Sequence, residues 1–134
     1  LAGDGTINVE YSVTASGDTD LVFASEWSLA FLTGDPEWLS ATDGGTGALD
    51  LRKAHVLKPT TNFLITDRIR GQILTVESDP PAAVWTRPLE TASQSEGGLE
   101  RVFQGVGLVA AWPFKPAEGE SADFRVSIRS GPLE

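Results

Sequence analysis

Cysteine is absent from the chain, which rules out disulfides and thiolate metal ligands while leaving the compartment open. Histidine is nearly absent too, with His55 alone. Zinc sites need clusters of His or Cys, and the chain cannot build one. A Ser/His/Asp relay would have to use His55. That residue stands in the short apolar segment Ala54–Leu57 with no Gly-x-Ser-x-Gly run nearby, and reads as an ordinary strand residue. No run of eighteen apolar residues occurs, so no membrane-spanning helix and no membrane partner are expected. Lys and Arg are missing from residues 1–51, where nine acids fall: Asp4, Glu10, Asp18, Asp20, Glu26, Asp35, Glu37, Asp43 and Asp50. The rest holds ten acids and ten bases, and the net charge is −9. An acidic half repels phosphate backbones, so a nucleic-acid partner is disfavoured; a neutral polyhydroxyl ligand meets no such penalty. No basic-then-apolar leader follows Leu1, and a cytoplasmic location is expected.

What the chain does have is strand pattern. Its 134 residues, 40% of them apolar, suit one domain that buries roughly two-thirds of its unfolded surface. Ile7, Val9, Tyr11 and Val13 alternate with polar residues, as do Phe124, Val126 and Ile128 near the other end. Leu21–Leu32 reads as a long central strand buried on much of both faces, interrupted by Glu26. Thr33–Gly47 reads as a loop pinned by Trp38 and Leu39, with room for one helical turn. Short strands are expected at Ala54–Leu57, ending at Pro59, then at Phe63–Asp67 and Ile69–Glu77. Asp79-Pro80-Pro81 breaks the pattern before Ala83–Thr86, and a strand around Leu108–Phe114 follows later. Nine or ten short strands without a confident helix predict an all-β, antiparallel sandwich. Leu133 and Glu134 are expected to be a cloning remnant outside the fold.

The most informative stretch is Arg87–Gly105. Two polar, β-compatible runs flank Gly97-Gly98, which predicts a hairpin whose tight primed turn has positive φ at both glycines. With that turn, Glu96 opposes Leu99, Gln94 opposes Arg101, Ala92 opposes Phe103 and Glu90 opposes Gly105 on one face. Ser95, Glu100, Ser93, Val102, Thr91 and Gln104 take the other. Neither face is apolar. So many Glu, Gln, Ser and Thr side chains suit contact with a hydroxyl-rich ligand or a neighbouring domain.

This stretch resembles a segment of the C-terminal β-domain of glycoside hydrolase family 57 enzymes, the α-amylases and 4-α-glucanotransferases. There a Thr-x-Ser-Gln-Ser-Glu-Gly-Gly run precedes an aromatic-Gln-Gly; here the residues are Thr91–Gly98 and Phe103-Gln104-Gly105. Ser25-Glu26-Trp27-Ser28-Leu29 is similar to that domain's Glu-aromatic-Asn-Leu strand, with Ser28 replacing Asn. The resemblance runs from about Leu21 to the end. It implies the supersandwich architecture of galactose-mutarotase-like domains, of which residues 1–134 form only the C-terminal part. It also implies a larger parent enzyme whose catalytic carboxylates lie in an N-terminal barrel, and which needs no organic cofactor. None of those carboxylates can be carried onto this sequence.

The residues bear on this. Asp18-Thr19-Asp20 begins like a calcium loop, but Val22 and the missing Gly and Glu break the pattern, and no metal is expected. Glu90, Glu96 and Glu100 could supply the paired carboxylates of a glycosidase, yet exposed hairpins commonly carry Glu, so solvation or domain contact is favoured over catalysis. Trp27 and Trp112 fall in phase with Leu and Phe and are assigned to the core. Trp38 and Trp85 adjoin Pro or loop residues and are the candidate sugar platforms. The expected function is a non-catalytic accessory domain of a family 57 enzyme acting on α-glucans, its partners the N-terminal catalytic barrel and the glucan. Its candidate contact residues are Glu90, Gln94, Ser95, Glu96, Gln104, Trp38 and Trp85. The rivals are a free-standing carbohydrate-binding module and a purely structural domain. An exposed aromatic among polar side chains would favour the former, and a flat apolar sheet face would favour a missing partner domain.

Overall fold

The computed structural model describes residues 5–18, 20–45 and 47–133. The described residues form seven strands and no helix: β1 (Gly5–Thr14), β2 (Leu21–Ala30), β3 (Leu39–Thr42), β4 (His55–Asp67), β5 (Gln72–Ser95), β6 (Gly98–Phe114) and β7 (Ser121–Pro132). All pairings are antiparallel, in the order β1-β7-β5-β4-β3, with β6 bridging β5 to β2.

The strands are fewer and longer than expected because the prolines do not end them. β4 runs through Pro59, its pairing with β5 shifting between Leu57 and Thr60 and again before Asn62. β5 runs through Asp79-Pro80-Pro81. Its pairing with β7 ends at Asp79 and its pairing with β6 begins at Ala83, so the prolines sit where no ladder donor is required. Both strands change layer across these irregularities. The first layer holds β1, β7, the start of β5, the end of β4, and β3. The second holds β2, β6, the rest of β5 and the start of β4.

Side chains from the two layers meet face to face. Phe124 of β7 lies 5.3 Å from Phe23 of β2 and 5.0 Å from Trp112 of β6, and Tyr11 of β1 meets Phe23 edge-on at 5.0 Å. The Trp112 indole donates to the Pro80 carbonyl (2.7 Å), tying the layer crossing to β6. Phe63, Ile65, Val84, Leu108 and Val126 are fully buried between the layers, each contributing roughly 1.5–3 kcal/mol of transfer free energy.

Four local expectations are corrected. Leu21–Leu32 is not a central strand: β2 pairs with β6 alone and is an edge. Its outward residues Val22, Ala24, Ser28 and Ala30 look like core because they are short or apolar, but no layer covers them. Thr33–Gly47 is not all loop: it holds β3, preceded by a single turn over Asp35–Leu39, for which the segment had room. Asp35 turns the chain by accepting from the amides of Trp38 (2.8 Å) and Leu39 (2.9 Å), and Leu39 is buried while Trp38 remains 44% exposed. Ile69–Gly71 belongs to a turn, with Gly71 at φ 64°, and β5 begins only at Gln72. The Leu133 amide donates to the Gly71 carbonyl (2.8 Å), so that residue is joined to the fold rather than lying outside it; Glu134 lies outside the described residues.

Candidate functional site

Beyond Leu89 and Gly105 the β5–β6 pair loses its neighbours. β4 stops pairing at Thr86 and β2 at Gly105, leaving Glu90–Ser95 and Gly98–Phe103 as a two-stranded ribbon. Every residue from Glu90 to Val102 is exposed. Ser95 pairs with Gly98, Gln94 with Leu99, Ala92 with Arg101 and Glu90 with Phe103, a register two residues from the expected one. The turn explains the difference. Only Gly98 has positive φ, at 111°, whereas Gly97 does not, so Glu96-Gly97 form the loop and Gly98, paired with Ser95, follows it at positive φ. The Ser95 hydroxyl lies 3.2 Å from both the Gly98 carbonyl and Glu100 Oε1 and fixes this geometry. Because the slip is even, each side chain keeps the face that alternation predicts.

At the ribbon's base Gln104 is an extra residue opposite the Leu89–Glu90 step. Its amide donates to Thr91 Oγ1 (3.2 Å) and its carbonyl accepts from the Phe31 amide (3.2 Å). Phe103 anchors the ribbon to the core. Gly34 has no room for a Cβ there, since one would fall 2.8 Å from the Phe103 ring and 2.8 Å from Arg52 Cγ.

Of the predicted site residues, Glu90, Gln94, Ser95, Glu96 and Gln104 are brought together on this ribbon. The side chains of Glu90, Gln94 and Glu96 make no hydrogen bond among the described residues. Glu90 and Glu96 lie six residues apart along one arm, about 20 Å, too far for an acid/base pair across a glycosidic bond. Trp85 lies on the sheet face beside the ribbon's base and is 45% exposed. Trp38 lies by β3 in the other layer, its carbonyl accepting from the Arg68 amide (2.8 Å), so the two tryptophans form no common platform.

The face that carries Trp85 went unrecognised from the sequence. Outward positions of the second layer are Val22, Ala24, Glu26, Ser28 and Ala30 on β2, Gly105, Gly107, Val109 and Ala111 on β6, and Ala83, Trp85, Arg87 and Leu89 on β5, with Val56 on β4. Val56 is 77% exposed and Val22 63%. The face's charges are the Glu26–Arg87 pair (3.7 Å) and, by alternation, Lys58 at the β4 rim. Its signal in the sequence is the run of short residues at alternate positions, Ala24, Ser28 and Ala30 against Gly105, Gly107 and Ala111.

Charge lies elsewhere. On the outward face of the first layer Glu10, Asp123, Asp79, Glu77, Arg125 and Arg129 cluster, with ion pairs Arg129–Glu77 (3.0 Å) and Arg125–Asp79 (3.6 Å). Between β3 and β4, Arg52 donates Nη2–H (2.9 Å) and Nε–H (3.1 Å) to the Asp50 carboxylate. Those side-chain bonds, joined by the Arg52 amide (3.0 Å), hold Asp50 down at about 2. His55 Nε2–H donates to the Asp50 carbonyl (2.7 Å), a structural role. Asp18 accepts from the Glu118 amide (2.8 Å), while Thr19 lies outside the described residues. No helix of the described residues is long and apolar enough to cross a membrane.

Two solved structures share the arrangement. The 4-alpha-glucanotransferase of Thermococcus litoralis superposes with a TM-score of 0.63 at 20% identity, over 94% of this chain and 16% of that one. The Slr1438 protein of Synechocystis sp. PCC 6803 gives 0.56 at 11% identity, over 95% of this chain and 51% of the other. At such identities the likeness concerns the fold. No curated protein matches by sequence. A family model described as alpha-amylase/4-alpha-glucanotransferase, C-terminal, matches residues 1–127. The chain belongs to that family of amylase and glucanotransferase C-terminal domains.

Proposed function

We propose that residues 1–134 form the non-catalytic accessory domain of a cytoplasmic, α-glucan-processing enzyme of glycoside hydrolase family 57. Its work is to dock on the catalytic barrel and help shape the glucan-binding cleft. The observation that carries this is the nearly uncharged, flat outward face of the second layer, continuous through Arg87 and Leu89 with the polar ribbon. A solvated antiparallel face ordinarily alternates to polar side chains, as the first layer's does. The motif residues Thr91–Gly98 and Phe103–Gly105 support the family 57 assignment. A free-standing carbohydrate-binding module is favoured less, because Trp85 stands among Val56, Val109 and Ala83 rather than among hydroxyls and amides.

The test is to mix the chain with the separately produced catalytic part of its parent enzyme. Wild type should associate, and Val56→Lys and Val22→Lys should abolish association while leaving the chain's melting temperature within a degree or so, as changes at solvent-exposed positions do. Gln94→Ala and Glu96→Ala should likewise spare the chain's stability yet lower the parent's activity. Failure of the wild-type chain to associate, or loss of its own stability in the ribbon variants, would contradict the docking role.

A further inference from the structure

Along the β2 edge of the docking face the sandwich is not closed. β1 and β2 are the free edges of their layers, and toward the end of β2 they part to leave a groove of about 550 Å³. Ile7, Trp27, Leu29 and Leu74 wall it, and the Asp67–Gln72 turn closes one end. Trp27 is fixed there, its indole N–H donating to Ser25 Oγ (2.9 Å), which shares a second bond with the Tyr11 hydroxyl (2.7 Å). The ring is therefore held by its nitrogen and only half-buried.

The polar end has a definite charge balance. Asp67 accepts from the amides of Ile69 (3.1 Å) and Arg70 (3.2 Å) and faces the Arg70 guanidinium at 3.6 Å; Arg70 also donates to the Ala30 carbonyl (3.2 Å). The cation is thus matched before any ligand arrives. The Gln72 amide beside it has no partner among the described residues, offering both a donor and an acceptor.

An anion entering would meet Asp67 in a chain of net charge −9, and a cation would meet a carboxylate already engaged. A wholly apolar ligand would desolvate Gln72 and Arg70 without replacing their hydrogen bonds. A neutral ring with one C–H face and a rim of hydroxyls satisfies all of these groups. We propose that this groove is a glucosyl-binding site, in which one or two pyranose rings of an α-glucan lie against Trp27 with hydroxyls on Gln72 and the outer N–H groups of Arg70. The identity of the sugar rests on the amylase/glucanotransferase reading above; the groove's preference for a neutral polyol does not.

Amide NMR of the 134-residue chain, titrated with maltotriose and separately with cellotriose, tests it. Maltotriose should shift the Trp27 indole and Gln72 side-chain resonances with a Kd on the order of millimolar. Gln72→Ala should weaken binding about fivefold, the loss of a neutral hydrogen bond, with the melting temperature unchanged. Ile7→Trp, at a position already 42% exposed, should fill the groove and abolish binding while the spectrum stays dispersed. No response at tens of millimolar sugar, or shifts confined to Trp85 or Trp38, would overturn the site. Equal or tighter binding of cellotriose would overturn the α-glucan assignment. A chain that still docks through Val56 and Val22 but binds no sugar removes this inference alone.

Discussion

The outward faces of the two layers share two strands and yet present opposite surfaces. Along β5 the outward side chains are Ile73, Thr75, Glu77 and Asp79 in the first layer and Ala83, Trp85, Arg87 and Leu89 in the second. Along β4 they are Asn62, Leu64 and Thr66 in the first layer but Val56 in the second. Surface chemistry changes at the point where each strand changes layer, so it belongs to what the layer faces rather than to the strand. The first face has the ion pairs of a surface made for water. The second has small and apolar side chains, which the proposed docking role would cover.

The contrast can be broken most severely at β6, where two glycines on the bare face separate the demands of folding from those of docking. A Cβ on Gly105 would overlap the Leu29 carbonyl oxygen, whereas one on Gly107 would find its nearest neighbours, Arg87 Cγ and Leu89 Cδ2, at 3.4 Å. Gly105→Ala should therefore cost about 3 kcal/mol in chemical denaturation, by forcing β2 and β6 apart. Gly107→Ala should be close to neutral. An equal cost at both would mean that the face is smooth for internal reasons.

Less is expected at the ribbon tip. Gly98→Val should cost about 1–2 kcal/mol because a β-branched residue is strained at positive φ. Gly97→Val, at ordinary φ, should cost much less. That asymmetry distinguishes the observed turn from one with both glycines left-handed.

On the charged face, Arg129→Ala removes an exposed pair with Glu77 and should cost about 0.5 kcal/mol, falling with added salt, without affecting docking.

The smallest effect lies off both faces. Asp50 titrates near 2 in the folded chain, below its ordinary 3.8, because of its bonds from Arg52. Its contribution is present above the ordinary value and is lost as the pH falls through the folded one. Asp50→Asn should slightly lower the melting temperature at about pH 6, and the gap to wild type should close on acidification to about pH 2.

Much of the fold was legible because alternation is local. The inward sets Phe124, Val126, Ile128 and Phe63, Ile65 are visible as period two, and even the ribbon's faces survive the two-residue slip in register. Strand number was not legible, because whether a proline ends a strand depends on its partners. At Pro80 and Pro81 no partner needs a donor, which only the layer crossing reveals. The edge position of β2 was hidden for a related reason, since short apolar residues look alike whether or not a layer covers them. Trp27 was read as core, and its inward phase is right. Its half-exposure follows from β1 and β2 parting, a property of two strands distant in pairing.

Whether the bare face is covered in the parent enzyme is read directly by hydroxyl-radical footprinting of the isolated chain beside the intact parent. Val56, Val22 and Trp85 should be oxidised in the chain and protected in the parent, while Leu64 and Ile73 on the charged face should react equally in both. Equal reactivity of Trp85 and Val56 in chain and parent, or protection of the charged face instead, would contradict the docking role.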